Sequence, residues 1–225
     1  MVILHARSCL QKKQEQDNVT TWADRHNYPP GILQQQIITT DPLSWDDFTA
    51  NPKERCYLCK KRLYRLFLDI LHQQDISVLL DGTNADDLRQ GRAGRPGLQA
   101  LEEFDICTPL ADCGLDKKSI RSQSKELKLD TADLPSSSCL ATRIPHGMRI
   151  TSKRIQRIAD FEQILEGQGF TGCRVRLSSE CEQTLLVQLQ ETSLFQLCYD
   201  SIKTSLLTPL KKKNVHKIYL DLEGR

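Results

Sequence analysis

The spacing of apolar and polar residues changes along the chain, and each change predicts an element. Residues 2–6 form a short apolar stretch that reads as the end of a buried strand. Residues 11–26 are polar, with the composition of a surface helix weakened by Val19 and the Thr20–Thr21 pair. Tyr28, Pro29, Pro30 and Gly31 interrupt the chain, and residues 36–39 are a second strand candidate that ends before Asp41 and Pro42. From 55 to 72, Leu58, Leu63, Leu66, Phe67, Ile70 and Leu71 recur at helical spacing. Residues 76–80 are nearly all apolar, as in a parallel strand covered on both faces. A turn at Gly94, Arg95, Pro96 and Gly97 precedes a predicted helix over 98–104. Another helix is predicted over 116–127, with Asp116 as its N-cap. Strands alternating with helices favour an α/β fold with a parallel sheet flanked by helices.

The pattern shifts near residue 150. Pro135, Ser136, Ser137 and Ser138, and then Pro145, His146 and Gly147, mark loops. Residues 151–168 predict a helix with Ile155, Ile158, Phe161, Ile164 and Leu165 on one face. Strands follow at 173–177 and 184–189, the second apolar enough to be central in its sheet. A helix over 192–206 and a closing strand over 215–222 complete a small α+β unit. The expected division is therefore 1–149, α/β, and 150–225, small α+β.

Composition narrows the function classes. The chain has 225 residues, 31 basic and 29 acidic, for a formal charge of +2. So balanced a surface does not make nucleic acid the default partner. Mean hydropathy is −0.46 and no apolar run approaches the ~18 residues of a membrane span. Met1, Val2, Ile3 and Leu4 are followed at once by His5 and Arg7, too short an apolar region for a signal peptide, so the cytoplasm is the expected compartment. Thiols stay reduced there. The nine cysteines are an odd number, so a complete intramolecular disulfide framework is excluded. Lys211, Lys212 and Lys213 read as a solvated turn.

Three segments carry candidate chemistry. The first is Arg55-Cys56-Tyr57-Leu58-Cys59-Lys60-Lys61. Thiols at i and i+3 near a helix start can face one centre, and the adjacent cations would favour thiolates. Zinc sites, redox dithiols and iron–sulfur clusters share this spacing, as do two inert cysteines on a helix face. No second C-x-x-C and no histidine pair completes a zinc site. The second is Ser136-Ser137-Ser138-Cys139-Leu140-Ala141-Thr142-Arg143, where a thiol stands between hydroxyls and an arginine. With Cys56 and Cys59 it makes three ligands, a set that leaves one iron open to a ligand such as sulfide. Cys9, Cys107, Cys113, Cys173, Cys181 and Cys198 have no partner spacing and read as ordinary residues. The third is Asp81-Gly82-Thr83-Asn84-Ala85-Asp86-Asp87, at the carboxyl end of the best strand candidate. Gly82 allows close backbone approach, Thr83 and Asn84 can donate to phosphate, and Asp86 and Asp87 can hold Mg²⁺ through its waters. The same residues also describe a polar helix N-terminus with an acidic first turn. Arg92, Arg95 and Gly97 follow, the arginines able to neutralise phosphate. Arg174 and Arg176 share a strand face and suit either a phosphate or solvent. Glu162 could be an acid–base or metal-binding group, although a single glutamate is more often neither. The five histidines show no ligand spacing.

Taken together, these segments resemble the ATP-dependent sacrificial sulfur transferase family, LarE. The resemblance runs from about Ala6 to the end. It rests on Asn51-Pro52 with the Arg55 to Lys61 motif, on Asp81 to Asp87, on Arg95-Pro96-Gly97 and on Pro135 to Arg143 with Ile144, Pro145 and Gly147. Gly169-Phe170 before Arg174-Val175-Arg176, and Asp221-Leu222-Glu223-Gly224, complete it. It implies an adenine-nucleotide α-hydrolase, or PP-loop, fold: 1–149 as nucleotide-binding domain and 150–225 as substrate and oligomerisation domain. It also implies adenylylation of a pyridinium mononucleotide carboxylate by ATP with Mg²⁺, then sulfur transfer to it in nickel-pincer cofactor biosynthesis. Family members with one cysteine at the Cys139 position sacrifice its sulfur. Those with cysteines at the Cys56, Cys59 and Cys139 positions resemble enzymes that pass on a sulfide from a 4Fe–4S cluster, and this chain has all three. Glu162, Arg174 and Arg176 would then bind metal and substrate phosphate, and the protein would be a homo-oligomer.

The chain also departs from the family pattern. The Ser-Gly-Gly-x-Asp-Ser loop that cradles ATP phosphates on backbone N–H groups is absent. The chain is expected to begin at the strand after it. Ala132 stands where an aromatic residue is usual, and the last strand stops at Arg225, short of the family's tail. Two readings follow: an enzyme, or a truncated or degenerate member that keeps the fold and cluster ligands without adenylylating. A tRNA thiolase is disfavoured by the neutral charge and the lack of a basic RNA-binding domain.

Overall fold

The computed structural model describes residues 1–26, 28–29 and 31–224, without the side chains of Arg92 and Ala93. The expectations for Pro30, for the Arg92 guanidinium and for Arg225 lie outside the described residues. In chain order the main elements are β1 (Val2–Arg7), α1 (Lys13–Thr20), β2 (Gln34–Thr39), α2 (Arg55–His72), α3 (Lys117–Glu126), α4 (Ser152–Gly167), β3 (Arg174–Leu177), β4 (Thr184–Gln188), α5 (Asp200–Lys212) and β5 (Lys217–Leu220). The chain forms two compact units, one of 1–51 with 135–225, the other of 52–134. This division by packing runs differently from the 1–149 and 150–225 division expected from sequence. Among the described residues no helix is long and apolar enough to cross a membrane.

In the first unit β1 and β2 pair in parallel, from Val2 opposite Gln34 to Arg7 opposite Thr39. Parallel neighbours need a crossover, and α1 lies in it. The helix expected over 11–26 stops at Thr20. The Thr20 and Thr21 hydroxyls donate to the Gln16 and Asp17 carbonyls, bonds that compete with regular helix, and a separate short turn runs Trp22–Arg25.

The rest of this unit is built on α4. Thr151 caps it, accepting from the Arg154 N–H, and its inner face buries Ile155, Ile158, Phe161, Glu162 and Leu165. Burial of each such apolar side chain is worth roughly 1.5–3 kcal/mol. The face packs on β3, in a sheet where β3 and β4 are antiparallel and β4 and β5 parallel. Val175, Leu177, Leu185 and Val187 are buried and β4 is central, as its apolar run predicts. The helix expected over 192–206 is instead two elements. A 3₁₀ stretch covers Glu191–Cys198, Tyr199 is extended, and α5 begins at Asp200. Leu194 and Leu197 recur at i and i+3, a spacing that both helix types accept, so the apolar pattern could not separate them. Asn51 explains part of the shared motif. It is buried with φ +59, and its amide donates to the Pro145 and Met148 carbonyls at 2.7 and 2.8 Å. Gly147, at φ +81, returns an N–H to the Asn51 carbonyl. A left-handed backbone there suits glycine.

In the second unit α2 spans Arg55–His72, as the spacing predicts. Tyr64, Leu98, Ala100, Leu101 and Ile106 form its core, with Phe67, Leu79 and Phe104 against it. Asp116 caps α3, accepting from Ser119 N–H at 2.8 Å. Residues 76–80 do not form the strand expected of them. They make one parallel bridge, Leu80 to Cys107, and Val78 and Leu80 remain 53% and 59% exposed. An apolar run supplies strand propensity, but a strand exists only through a neighbour's ladder, and Cys107 is one residue of ladder. The α/β class holds; among the described residues the sheets are the two-stranded parallel pair and the three-stranded mixed one.

Candidate functional site

The segment expected to meet nucleotide is organised in two networks within the second unit. Asp81 is the centre of the first. Thr83 N–H donates to its Oδ1 at 2.8 Å, and the Tyr64 hydroxyl donates to its Oδ2 at 2.8 Å. Lys60 Nζ lies 2.8 Å from the Tyr64 oxygen and 3.4 Å from Asp81. Burial opposes the Asp81 charge, but the Thr83 hydroxyl, Lys60 and Tyr64 outweigh it and hold the carboxyl below its ordinary range. Burial and the Asp81 charge push the Tyr64 hydroxyl up, so it stays a donor. Asn84 and Asp87 form the second network. Each side chain accepts the other's backbone N–H, a reciprocal cap on the short helix Ala85–Arg89. Asp87 also pairs with Arg95, and Asp86 pairs with Arg89 at 2.6 Å while accepting Lys117 N–H. A Cβ on Gly82 would meet nothing within 4 Å, so the residue leaves its surroundings open.

Cys56 lies on the first turn of α2 and Cys59 opens the second, the former exposed and the latter half-buried. Gly97 sits against this turn: an added Cβ would come within 3.1 Å of Lys60 Cδ and 3.7 Å of the Cys56 carbonyl oxygen. The two lysines expected to act on the thiols have other partners. Lys60 turns to Asp81 and Tyr64, and Lys61 to Tyr57 and Glu103.

In the first unit the turn carrying Cys139 is anchored from below. Cys139 precedes a 3₁₀ turn, Leu140–Arg143, and its thiol side is exposed while Leu140, Ala141 and Arg143 are buried. Leu140 N–H donates to the Leu10 carbonyl at 2.9 Å. The Arg143 guanidinium donates to Ser138 Oγ at 2.6 Å, to Thr142 Oγ1 at 2.7 Å and to Glu162 Oε1 at 2.8 Å. Glu162 is 0% exposed. Its Oε1 also accepts Val175 N–H at 2.9 Å, and its Oε2 is 2.6 Å from Lys12 Nζ. Burial opposes the Glu162 charge, but Arg143 and Lys12 overcome it and hold the carboxyl below its usual range. A carboxylate so held keeps its charge near neutral pH, which suits positioning better than proton exchange. Arg176 donates to the Thr142 carbonyl at 3.2 Å from the strand face it shares with Arg174. Cys173, buried beside Glu162, has its thiol pushed up to about 12 by burial, as expected of an ordinary core cysteine.

Arg143, Glu162 and Arg176 therefore converge on the Cys139 turn. Among the described residues no three His, Cys, Asp or Glu side chains are gathered as a metal site, and no disulfide forms. Sequence reasoning missed Tyr64 and Lys12. Tyr64 carried a signal, since it falls four residues after Lys60 on α2, one helical turn away. Lys12 carried none, being 154 positions from Glu166, which it also meets at 2.7 Å.

No protein-family model matches the chain. It is 32% identical over 193 residues to the uncharacterized protein slr1717 of Synechocystis, covering 85% of this chain and 69% of that one. It is 37% identical over 131 residues to the uncharacterized protein MJ0830 of Methanocaldococcus jannaschii, covering 58% and 50%. It is also 29% identical over 145 residues to a pyridinium-3,5-bisthiocarboxylic acid mononucleotide synthase of Lactiplantibacillus plantarum, covering 64% and 51%. The chain thus spans about half the length of these last two proteins.

Proposed function

The chain belongs to the family of the Synechocystis protein slr1717, and from that premise we propose that it is a LarE-type, ATP-dependent sulfur transferase acting on a pyridinium mononucleotide carboxylate. The relative from Lactiplantibacillus plantarum, a synthase of a pyridinium bisthiocarboxylic acid mononucleotide, supports the substrate class. The observation that carries the reading is the exposed Cys139 mounted on the buried Arg143–Glu162 pair. A sulfur donor must meet an activated acyl group in one orientation, and a turn fixed from beneath supplies that while leaving the thiol side open.

In this reading the substrate carboxylate attacks the α-phosphorus of ATP, pyrophosphate leaves, and the acyl adenylate forms. Sulfur then attacks the acyl carbon and AMP departs. Gly82, Thr83, Asn84, Asp86, Asp87 and Arg95 contribute to nucleotide and Mg²⁺ binding. Arg174 and Arg176 face the substrate phosphate, and Arg176 also holds the Thr142 carbonyl. If Cys139 supplies the sulfur itself, a β-elimination must follow acyl–sulfur bond formation: a base takes the Cys139 Cα proton, the Cβ–S bond breaks, and the thiocarboxylate leaves with dehydroalanine remaining at 139. Cys56, Cys59 and Cys139 would instead hold a 4Fe–4S cluster where sulfide is delivered. Each of these three thiols is exposed or half-buried and so open to iron, unlike the sealed Cys173. The cytoplasm and a homo-oligomer belong to the same proposal.

Anaerobic reconstitution with iron and sulfide tests the cluster: visible charge-transfer absorbance is expected, lost in Cys56→Ser. A chain that takes up no cluster, or a Cys56→Ser variant that keeps it, refutes that mode. Cys139→Ser should abolish sulfur transfer in either mode. A second reading, a family member that no longer adenylylates, is favoured by one observation. Asp86, Asp87 and Arg95, expected on Mg²⁺ and phosphate, are engaged with one another and with Arg89. ATP–pyrophosphate exchange separates the two readings, and weak or no exchange is expected under the second.

A further inference from the structure

Glu162 resembles a metal-binding residue by family pattern, yet its surroundings here are those of a carboxylate already supplied with cations. Oε1 meets the Arg143 guanidinium and the Val175 N–H, and Oε2 meets the Lys12 ammonium. Mg²⁺ needs several oxygen donors in near-octahedral array. Around Glu162 the close groups are two cations, an N–H and the Cys173 sulfur, 3.6 Å from the Glu162 carbonyl. We propose that Lys12 is the built-in cation of Glu162, a positioning residue that takes the place of a divalent ion and thereby fixes the turn presenting Cys139.

Charge and connectivity support this. Two carboxylates, Glu162 and Glu166, face two cations, Lys12 and Arg143, so the cluster is balanced without an added ion. Glu162 is fully buried and could not stay ionised with one cation removed and nothing in its place. Burial works against the Lys12 charge, but the two glutamates raise its affinity for the proton, so the ammonium persists well above neutral pH. Lys12 also lies within the segment 10–15, which touches the Cys139 loop twice more. Leu10 accepts Leu140 N–H, and Glu15 accepts the Ser137 hydroxyl. A cavity of about 460 Å³ lies beside these contacts, lined by Cys9, Lys12, Leu140, Ile155, Gln163 and Glu166. The turn therefore has room on that side, where the ionic tie acts beside these two hydrogen bonds.

The inference rests on the sulfur-transferase reading for its meaning, but its test does not. Amide hydrogen exchange is followed by mass spectrometry in the full chain and in Lys12→Ala and Lys12→Arg variants. In Lys12→Ala, exchange at Leu140, Thr142 and Ile144 should accelerate about tenfold or more, while α2 amides keep their rates. Lys12→Arg should restore wild-type rates, which loss of generic packing would not predict. Added Mg²⁺ should leave wild-type exchange at Leu140 unchanged. Unaltered protection in Lys12→Ala overturns the proposal, as does slowing by Mg²⁺ of wild-type exchange at Leu140. If Lys12→Ala fails to fold, Lys12→Gln is followed instead, an amide able to donate to Glu162 Oε2 without supplying a cation. It should fold with faster exchange at Leu140, Thr142 and Ile144 than wild type, and wild-type protection in Lys12→Gln, or its failure to fold, refutes positioning. With substrate, Lys12→Ala should lower kcat and leave the KM for ATP unchanged. An absence of sulfur transfer in wild type alongside the predicted exchange pattern would refute the functional reading and leave this one standing.

Discussion

Glu162 and Asp81 are both carboxylates kept ionised against the cost of burial, and they are kept so by different means. Glu162 is sealed from solvent and has a full cation on each oxygen. Asp81 keeps about a quarter of its side chain exposed and relies on two hydroxyls, a backbone N–H and one lysine at 3.4 Å. Neutral donors suffice where water still shares the load, whereas a sealed charge needs opposite charge. The contrast separates the two candidate regions. The Cys139 turn is held by an electrostatic anchor that one substitution can strand. The Asp81 to Asp87 segment is held by distributed hydrogen bonds that degrade gradually.

The sharpest way to break this contrast is Arg143→Met, which leaves Glu162 buried with half its compensation. A loss of about 3–5 kcal/mol is expected, read by denaturant unfolding. A loss under about 1 kcal/mol would place Glu162 in the same class as Asp81. Next comes acid. Both carboxyls have folded pKa values below their unfolded ones, so each contributes stability in full above the unfolded value, about 4. That contribution disappears as pH falls through the lower folded value. The acid limb of a stability–pH profile should therefore be flatter in Arg143→Met than in wild type, and Tyr64→Phe should flatten it less. Tyr64→Phe itself should cost about 1 kcal/mol, one hydrogen bond to a charged group that water can partly replace. Lys61→Ala, at the exposed Glu103 pair, should leave the unfolding midpoint where it is. Alkylation followed by peptide mapping sharpens the cysteine side of the comparison. Cys139 should modify readily at neutral pH, and Cys173, with its thiol at about 12, should not.

Much of this molecule was legible one segment at a time. The Arg55–His72 helix, the Asp116 cap, β1, and the central place of β4 all followed from local spacing and capping chemistry. The errors arose where a segment's state depended on something distant. Residues 76–80 had strand composition and found one residue of ladder. Residues 192–206 had the spacing of one helix, and their first part lies in a 3₁₀ stretch that ends before Tyr199. Among the candidate residues, Asn84, Asp86 and Asp87 lie where a helix N-terminus was one of the readings, and their caps and ion pairs are local.

By itself the sequence determined which residues could carry chemistry: the Cys56–Cys59 pair, Cys139 among hydroxyls, and Arg174 with Arg176 on one strand face. Those are matters of residue type and of periods shorter than ten residues, which the backbone imposes directly. Only tertiary structure decided how the charges were shared. It gave Lys60 to Asp81 and Tyr64, took Arg143 into the interior against Glu162, and brought Lys12 to the same carboxylate across most of the chain. Water's exclusion from the interior makes the Glu162 pairings obligatory, and burial is a property of the folded chain that no local pattern contains.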